Sequence, residues 1–113
     1  MKKVEAIIRK SKFSVVQEAL QSVGVNFFTH WDVISIDNEN QDVLDLISSE
    51  ANKENSKKCY LSIIVNDDFK AVTIKAILES ASTGAIGDGR IFISTIDEAY
   101  KIRTKEKGKK TLR

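Results

Sequence analysis

The chain has 113 residues, 42% of them apolar and 30% charged, with one cysteine, five glycines and no proline; that is room for one two-layer domain of ordinary globular balance. No apolar run approaches the ~20 residues that span a bilayer, and the start, Met1-Lys2-Lys3-Val4-Glu5, lacks the apolar core of a signal peptide, so a cytoplasmic protein is expected. The formal charge of +2 hides an asymmetry: residues 37–56 hold Asp37, Glu39, Asp42, Asp45, Glu50 and Glu54 against Lys53 alone, a local −5 that leaves +7 on the rest.

Residues 3–9 alternate, with Val4, Ala6 and Ile8 on one face, which is the period of a strand. Ser14 and Gln17 read as a capping box opening a helix, along which Val16, Ala19, Leu20 and Val23 share a face until Gly24 stops it. A second strand is expected over 25–36, where Phe27, Phe28, Trp31, Val33, Ile34 and Ile36 make the most apolar stretch of the chain. From 37 to 57 the composition turns to Asn, Asp, Glu, Ser and Lys, a connection long for a compact domain and of the kind that is functional or disordered. Within it Val43, Leu44, Leu46, Ile47 and Ala51 could form an amphipathic turn or two, either meeting a partner or folding back on the body.

Residues 58–65 alternate again and predict a central strand with Cys59, Leu61, Ile63 and Val65 on one side. Cys59 alone can form no internal disulfide and reads as a buried small hydrophobe. Asn66, Asp67 and Asp68 supply caps and negative charge for a helix over 69–82, with Phe69, Val72, Ala76, Ile77 and Ala81 on one side. A fourth strand follows over 90–96. Strand, helix, strand, strand, helix, strand is the order of the split βαβ, ferredoxin-like arrangement, an α+β fold of four antiparallel strands with both helices on one face.

Between the second helix and the last strand lies Thr83-Gly84-Ala85-Ile86-Gly87-Asp88-Gly89-Arg90-Ile91-Phe92-Ile93. Its glycines free the backbone to approach an anion and Arg90 brings a cation, so the stretch is either a phosphate cradle or an ordinary turn. Past it, Lys101, Arg103, Lys105 and Lys107 are spaced by two; if extended they all face one way and grip an anion, and otherwise they belong to a solvated basic tail over 101–113. His30 reads as a packed strand residue and not as a metal ligand. No Ser/His/Asp or Cys/His set can be assembled, and a non-catalytic protein is expected.

The chain resembles the PII family of nitrogen-regulatory signal-transduction proteins from end to end. The resemblance rests on Lys2-Lys3-Val4-Glu5-Ala6-Ile7-Ile8, Glu18-Ala19-Leu20 with Gly24-Val25, Arg103-Thr104, and above all the eleven residues from Thr83 to Ile93. It implies a homotrimer of ferredoxin-like subunits that binds ATP or ADP, with magnesium possible beside ATP, in clefts between neighbours. Gly87, Asp88, Gly89 and Arg90 would hold the phosphates, Lys101 and Arg103 would add positive charge, and Thr29 and Ile64 would line the adenine side. The long loop would act on a target enzyme or membrane transporter. Glu39 stands where the family has the glutamine that meets magnesium and 2-oxoglutarate, and Lys58, which pairs with the oxo acid, is retained; the extra carboxylate is expected to weaken that metabolite. Ser49 stands where some members are phosphorylated, Ala51 replaces the tyrosine that others carry for nucleotidylation, and Ile47 replaces the arginine that plugs ammonium channels. Two other classes share the scaffold: a single-strand nucleic-acid binder, favoured by the basic tail and by Phe27, Phe28 and Trp31, and a CutA-like trimeric metal-tolerance protein, which needs more ligands than His30 and Cys59.

Overall fold

The computed structural model describes residues 1–36 and 56–112. Glu39, Ser49, Ile47, Ala51 and every other expectation between 37 and 55 lie outside the described residues. The described elements run β1 (Lys2–Arg9), α1 (Phe13–Ser22), β2 (Thr29–Ile34), β3 (Lys57–Val65), α2 (Lys70–Ala81) and β4 (Arg90–Thr95). The strands form one antiparallel sheet in the order β2-β3-β1-β4. This is the ferredoxin-like arrangement expected from the element order.

Alternation in β1 and β3 sets the core. Val4, Ala6 and Ile8 share a face with Cys59, Leu61, Ile63 and Val65, all buried, and α1 and α2 cover them with Val16, Leu20, Ala76, Ile77 and Ala81. β1 and β3 are the inner strands, β2 and β4 the edges. The other face of the sheet has no helix against it among the described residues. It carries Thr29, Trp31 and Val33 of β2, Lys58, Tyr60, Ser62 and Ile64 of β3, Lys3, Glu5, Ile7 and Arg9 of β1, and Arg90, Phe92 and Ser94 of β4, aligned by register.

Several local expectations are corrected. Ser14 and Gln17 make no capping box: α1 is preceded by a 3-10 turn over Lys10–Lys12, and Lys12, already near helical angles, gives no side-chain cap. Phe13 packs against the rings of Phe28 and His30, so ring contacts hold the start of the helix one residue ahead of the serine. The expected end of this helix stands. Gly24 has φ +87°, its N–H bonds Gln21 O and that of Val25 bonds Leu20 O, the paired bonds of a Schellman stop.

The second strand is shorter than expected, Thr29–Ile34, because Val25 is spent closing α1 and is buried there. Its apolar residues are surface rather than core: Phe27, Ile34 and Ile36 are each more than three-quarters exposed. In α2, Thr73 and not Val72 faces the core, and neither Asn66, Asp67 nor Asp68 caps by side chain; a 3-10 turn at Asp67–Phe69 comes first. That turn winds tighter than an α-turn, about 3.0 residues per turn against 3.6, and so rotates further per residue, which changes the phase of every later position.

Beyond β4 the chain is not extended. Tyr100 bridges Lys107 across a tight hairpin closed by Lys101 N–H to Glu106 O and Lys105 N–H to Lys101 O, with Lys105 at φ +63°. Lys107 sits 3.4 Å from Glu98 and over the Tyr100 ring. The four cations therefore do not form one row.

Candidate functional site

The connection from α2 to β4 is a built turn. Gly84, Gly87 and Gly89 all have φ between +81° and +105°, a region that side chains with a Cβ rarely enter. At Gly89 the demand is steric as well: a Cβ there would stand 1.7 Å from Ile7 O, so only glycine lets the turn lie flat against β1.

Asp88 folds this turn from inside. Its carboxylate accepts the Thr83 hydroxyl, the backbone N–H of Thr83 at 2.8 Å and of Gly84 at 2.9 Å, and the Nε of Arg9 at 3.1 Å. These donors, the Thr83 hydroxyl foremost, hold the carboxyl well below the usual carboxylate range against the opposing effect of burial. Arg9 also donates through Nη2 to Ile86 O at 2.9 Å, and Lys58, itself buried, donates through Nζ to Gly87 O. Asp88, expected among the phosphate-holding residues, has its side chain engaged by the turn and by Arg9. Arg9 was missed altogether. The available signal was its place at the end of β1 on the face away from the core, opposite Lys58, but its partners lie 77 and 79 positions further along the chain.

Planarity then aims the backbone. Across a trans peptide the C=O and the next N–H point in opposite directions, so fixing Ile86 O on Arg9 turns the Gly87 N–H away from it. That N–H has no acceptor among the described residues. Arg90, exposed, opens β4 opposite Ile7 in the row that also holds Tyr60 and Trp31, whose rings stack with centroids 4.6 Å apart. A cation and an outward N–H at a glycine turn form a surface on which an anion can rest.

The remaining expected residues are elsewhere on the chain. Thr29 lies opposite Ser62 and Ile64 opposite Lys3, both on the open face. From Lys58 at the turn to Ile64 is six residues of strand, roughly 20 Å at about 3.4 Å per residue. The chain leaves β4 at the end of the sheet where Ile96 N–H bonds Met1 O, so the hairpin bearing Lys101 and Arg103 follows from the end opposite the glycine turn. Asp67 marks that same end: the terminal amine 3.0 Å away holds its carboxyl below the usual range, and Lys109 contributes. The chain thus carries two groups of candidate residues, Gly87 to Arg90 at one end and Ile64, Lys101 and Arg103 toward the other, with Thr29 between.

Cys59 is buried, and burial foremost pushes its thiol up; His30 Nδ1 is 4.0 Å from the sulfur, and the imidazole lies on Phe13. Among the described residues no three potential ligands gather into a metal site, and no helix is long and apolar enough to cross a membrane.

A family model described as "Nitrogen regulatory protein P-II" matches residues 1–106. The chain is 39% identical over 108 residues to a "Nitrogen regulatory protein P-II" of Bradyrhizobium diazoefficiens, covering 96% of each chain. It is 36% identical over 116 residues to "Nitrogen regulatory protein P-II 2" of Methanothermobacter thermautotrophicus, covering 99% of this chain and 97% of the relative. A "Nitrogen fixation nifHD region glnB-like protein 1" of Methanococcus maripaludis is 36% identical over 108 residues, covering 96% of this chain and 99% of the relative.

Proposed function

Because this chain belongs to the nitrogen regulatory protein P-II family, we propose that it is a cytoplasmic, non-catalytic switch, a homotrimer that binds ATP or ADP in the clefts between subunits. The observation that carries the reading is the glycine turn, shaped by Asp88, with a Gly87 N–H left unpaired among the described residues and the Arg90 cation beside it. Support for a cleft between subunits comes from the distribution of the other residues. Thr29, Ile64, Lys101 and Arg103 are too far along the subunit to join the turn of their own chain, so a ligand that touches both groups spans two chains. The open sheet face, carrying Trp31, Tyr60, Ile7 and Phe92, supplies an apolar surface for trimer contacts.

Exchange of ATP for ADP changes the charge that Arg90, Lys101 and Arg103 neutralise. Ser35 N–H bonds Ser56 O, and Lys58, one residue into β3, holds Gly87 O, so the stem of the 37–57 loop is joined to the turn. A change at the turn thereby biases the loop, through which a target enzyme or transporter is bound or released. Magnesium accompanies ATP, and Glu39 is a suitable hard ligand for it. Opposite 2-oxoglutarate the same carboxylate adds repulsion, and Lys58 already has an acceptor in Gly87 O; weak or no binding of this metabolite is the expected result, which micromolar affinity in saturating Mg-ATP would overturn.

The direct test is calorimetric titration of Mg-ATP into the wild type and into the Arg90→Ala/Arg103→Ala double variant. The variant is expected to remain trimeric by sedimentation and to lose ATP binding. Unchanged affinity would remove the proposed site.

A further inference from the structure

The strongest observation that the nucleotide reading does not use is the way Arg9 is spent. A guanidinium at the rim of a proposed phosphate site would be expected to face the phosphate, yet this one points into the turn. Nε meets the Asp88 carboxylate at 3.1 Å and Nη2 meets Ile86 O at 2.9 Å, a two-point grip on adjacent parts of one loop. The grip is well sheltered, with the Arg9 side chain 15% exposed. Behind Asp88 the same carboxylate holds the Thr83 and Gly84 N–H groups, so Arg9 is tied through one residue to both ends of the turn.

Three glycines at positive φ make this segment costly to order, since glycine loses more backbone freedom than any other residue when it is fixed. A loop that must be ordered on binding has its affinity scaled down to the fraction of time it already spends in the competent form, so the dissociation constant rises as that fraction falls. Arg9 supplies what the glycines lack. Resting on the nucleotide reading above, we propose that Arg9 is a positioning residue for the anion site: it presets the glycine turn, through Asp88 and the Ile86 carbonyl, in the conformation that turns the Gly87 N–H outward. Its planar fork is essential to the role, because a lysine ammonium is a single point and cannot hold the carboxylate and the carbonyl in one fixed geometry.

The consequence is specific. A residue that positions the turn without touching the ligand alters the affinity of every ligand using that turn by one factor. If Arg9→Met lets the competent conformer fall to about a tenth, the dissociation constants of ATP and ADP both rise about tenfold. Arg9→Lys, which keeps the charge and loses the fork, gives a smaller common factor. In the nucleotide-free protein, amide hydrogen exchange at Thr83 and Gly84, whose N–H groups Asp88 accepts, accelerates in Arg9→Met while that of the inner strands does not.

The experiment titrates ATP and ADP into the 113-residue wild type, Arg9→Met and Arg9→Lys, at a temperature where each is fully folded by circular dichroism, and measures amide exchange without nucleotide. Equal factors for the two nucleotides, with faster loop exchange, are the expected result. Affinities within twofold of wild type in either variant overturn the proposal and leave the nucleotide reading standing. A loss confined to ATP also overturns it, by showing that Arg9 meets the terminal phosphate directly. Should Arg9→Met fail to fold, Arg9→Lys alone decides by the same criteria. A wild type that binds neither nucleotide removes the nucleotide reading, and this proposal with it.

Discussion

Gly89 and Gly84 occupy the same turn with the same sign of φ, yet their substitutions separate two physical effects. A methyl at Gly84 meets nothing within 4 Å, so Gly84→Ala carries only the left-handed penalty, about 1 kcal/mol. At Gly89 the methyl would collide with the backbone of β1 at Ile7, and the cost of displacing a strand adds about 1–3 kcal/mol more. Urea midpoints of the two variants are expected to fall in that order, and equal shifts would show that Gly89 is retained for its φ alone. Asp88 gives a pH signature. Its folded pKa is depressed, so the unfolded chain takes up the proton more readily and acid favours unfolding. Its contribution is complete above about pH 4, the unfolded value, and fades as the pH falls toward the lower folded one. The midpoint gap between wild type and Asp88→Asn is expected to be widest near pH 6, about 2 kcal/mol for lost charge-assisted bonds, and to narrow as the pH is lowered toward 2.

At the level of elements, α2 shows how far periodicity reaches. The apolar spacing correctly puts Ala76, Ile77 and Ala81 in the core but also enlists Val72, which is 40% exposed, and overlooks Thr73, which is fully buried. Thr73 escapes an apolar pattern because its hydroxyl is satisfied within the helix, donating to Phe69 O at 2.7 Å. Ile77→Ala is therefore expected to destabilise by about 2–5 kcal/mol and Val72→Ala by less than about 1 kcal/mol, read from denaturant midpoints. The expected cap of α1 fails for a related reason. A capping motif states a local preference worth about 1 kcal/mol, and at α1 it competes with the ring packing of Phe13 on Phe28 and His30. The Gly24 stop survives because helix closure and core packing agree there: Val25 both completes the Schellman bond and is buried.

Across the whole molecule, the proposed site has its two halves at opposite ends of each subunit, and that geometry can be tested without a ligand-bound structure. In the proposed closed ring each cleft would take its glycine turn from one chain and its basic hairpin from the next. Trimers assembled from a mixture of Arg90→Ala and Arg103→Ala subunits therefore regenerate one unaltered cleft for each mixed ring. Tight ATP binding is expected to reappear on mixing the two chains after unfolding and refolding, at a stoichiometry set by the mixed fraction. Its absence would mean that both arginines serve one chain's site or none. The open sheet face belongs to the same scale. Trp31, stacked on Tyr60 and exposed although large and apolar, is expected to lie at subunit contacts, and Trp31→Asp to shift the sedimentation coefficient toward that of a monomer.

Strand alternation, the two helical stripes and the glycine-rich return to the last strand are properties of neighbours in the chain, and from them the ferredoxin-like order could be read directly. Membership in the family was legible for the same reason, since the block from Thr83 to Ile93 is contiguous. Tertiary structure alone decided that the richest apolar stretch is surface and not core: it became an edge strand, and burial depends on which strand has neighbours on both sides. It also decided that Arg9 belongs to the turn and that the tail's cations part company, because a guanidinium finding a carboxylate 79 positions away, or a chain folding back through Lys105, follows from where the backbone goes in space and leaves no periodic trace in the sequence.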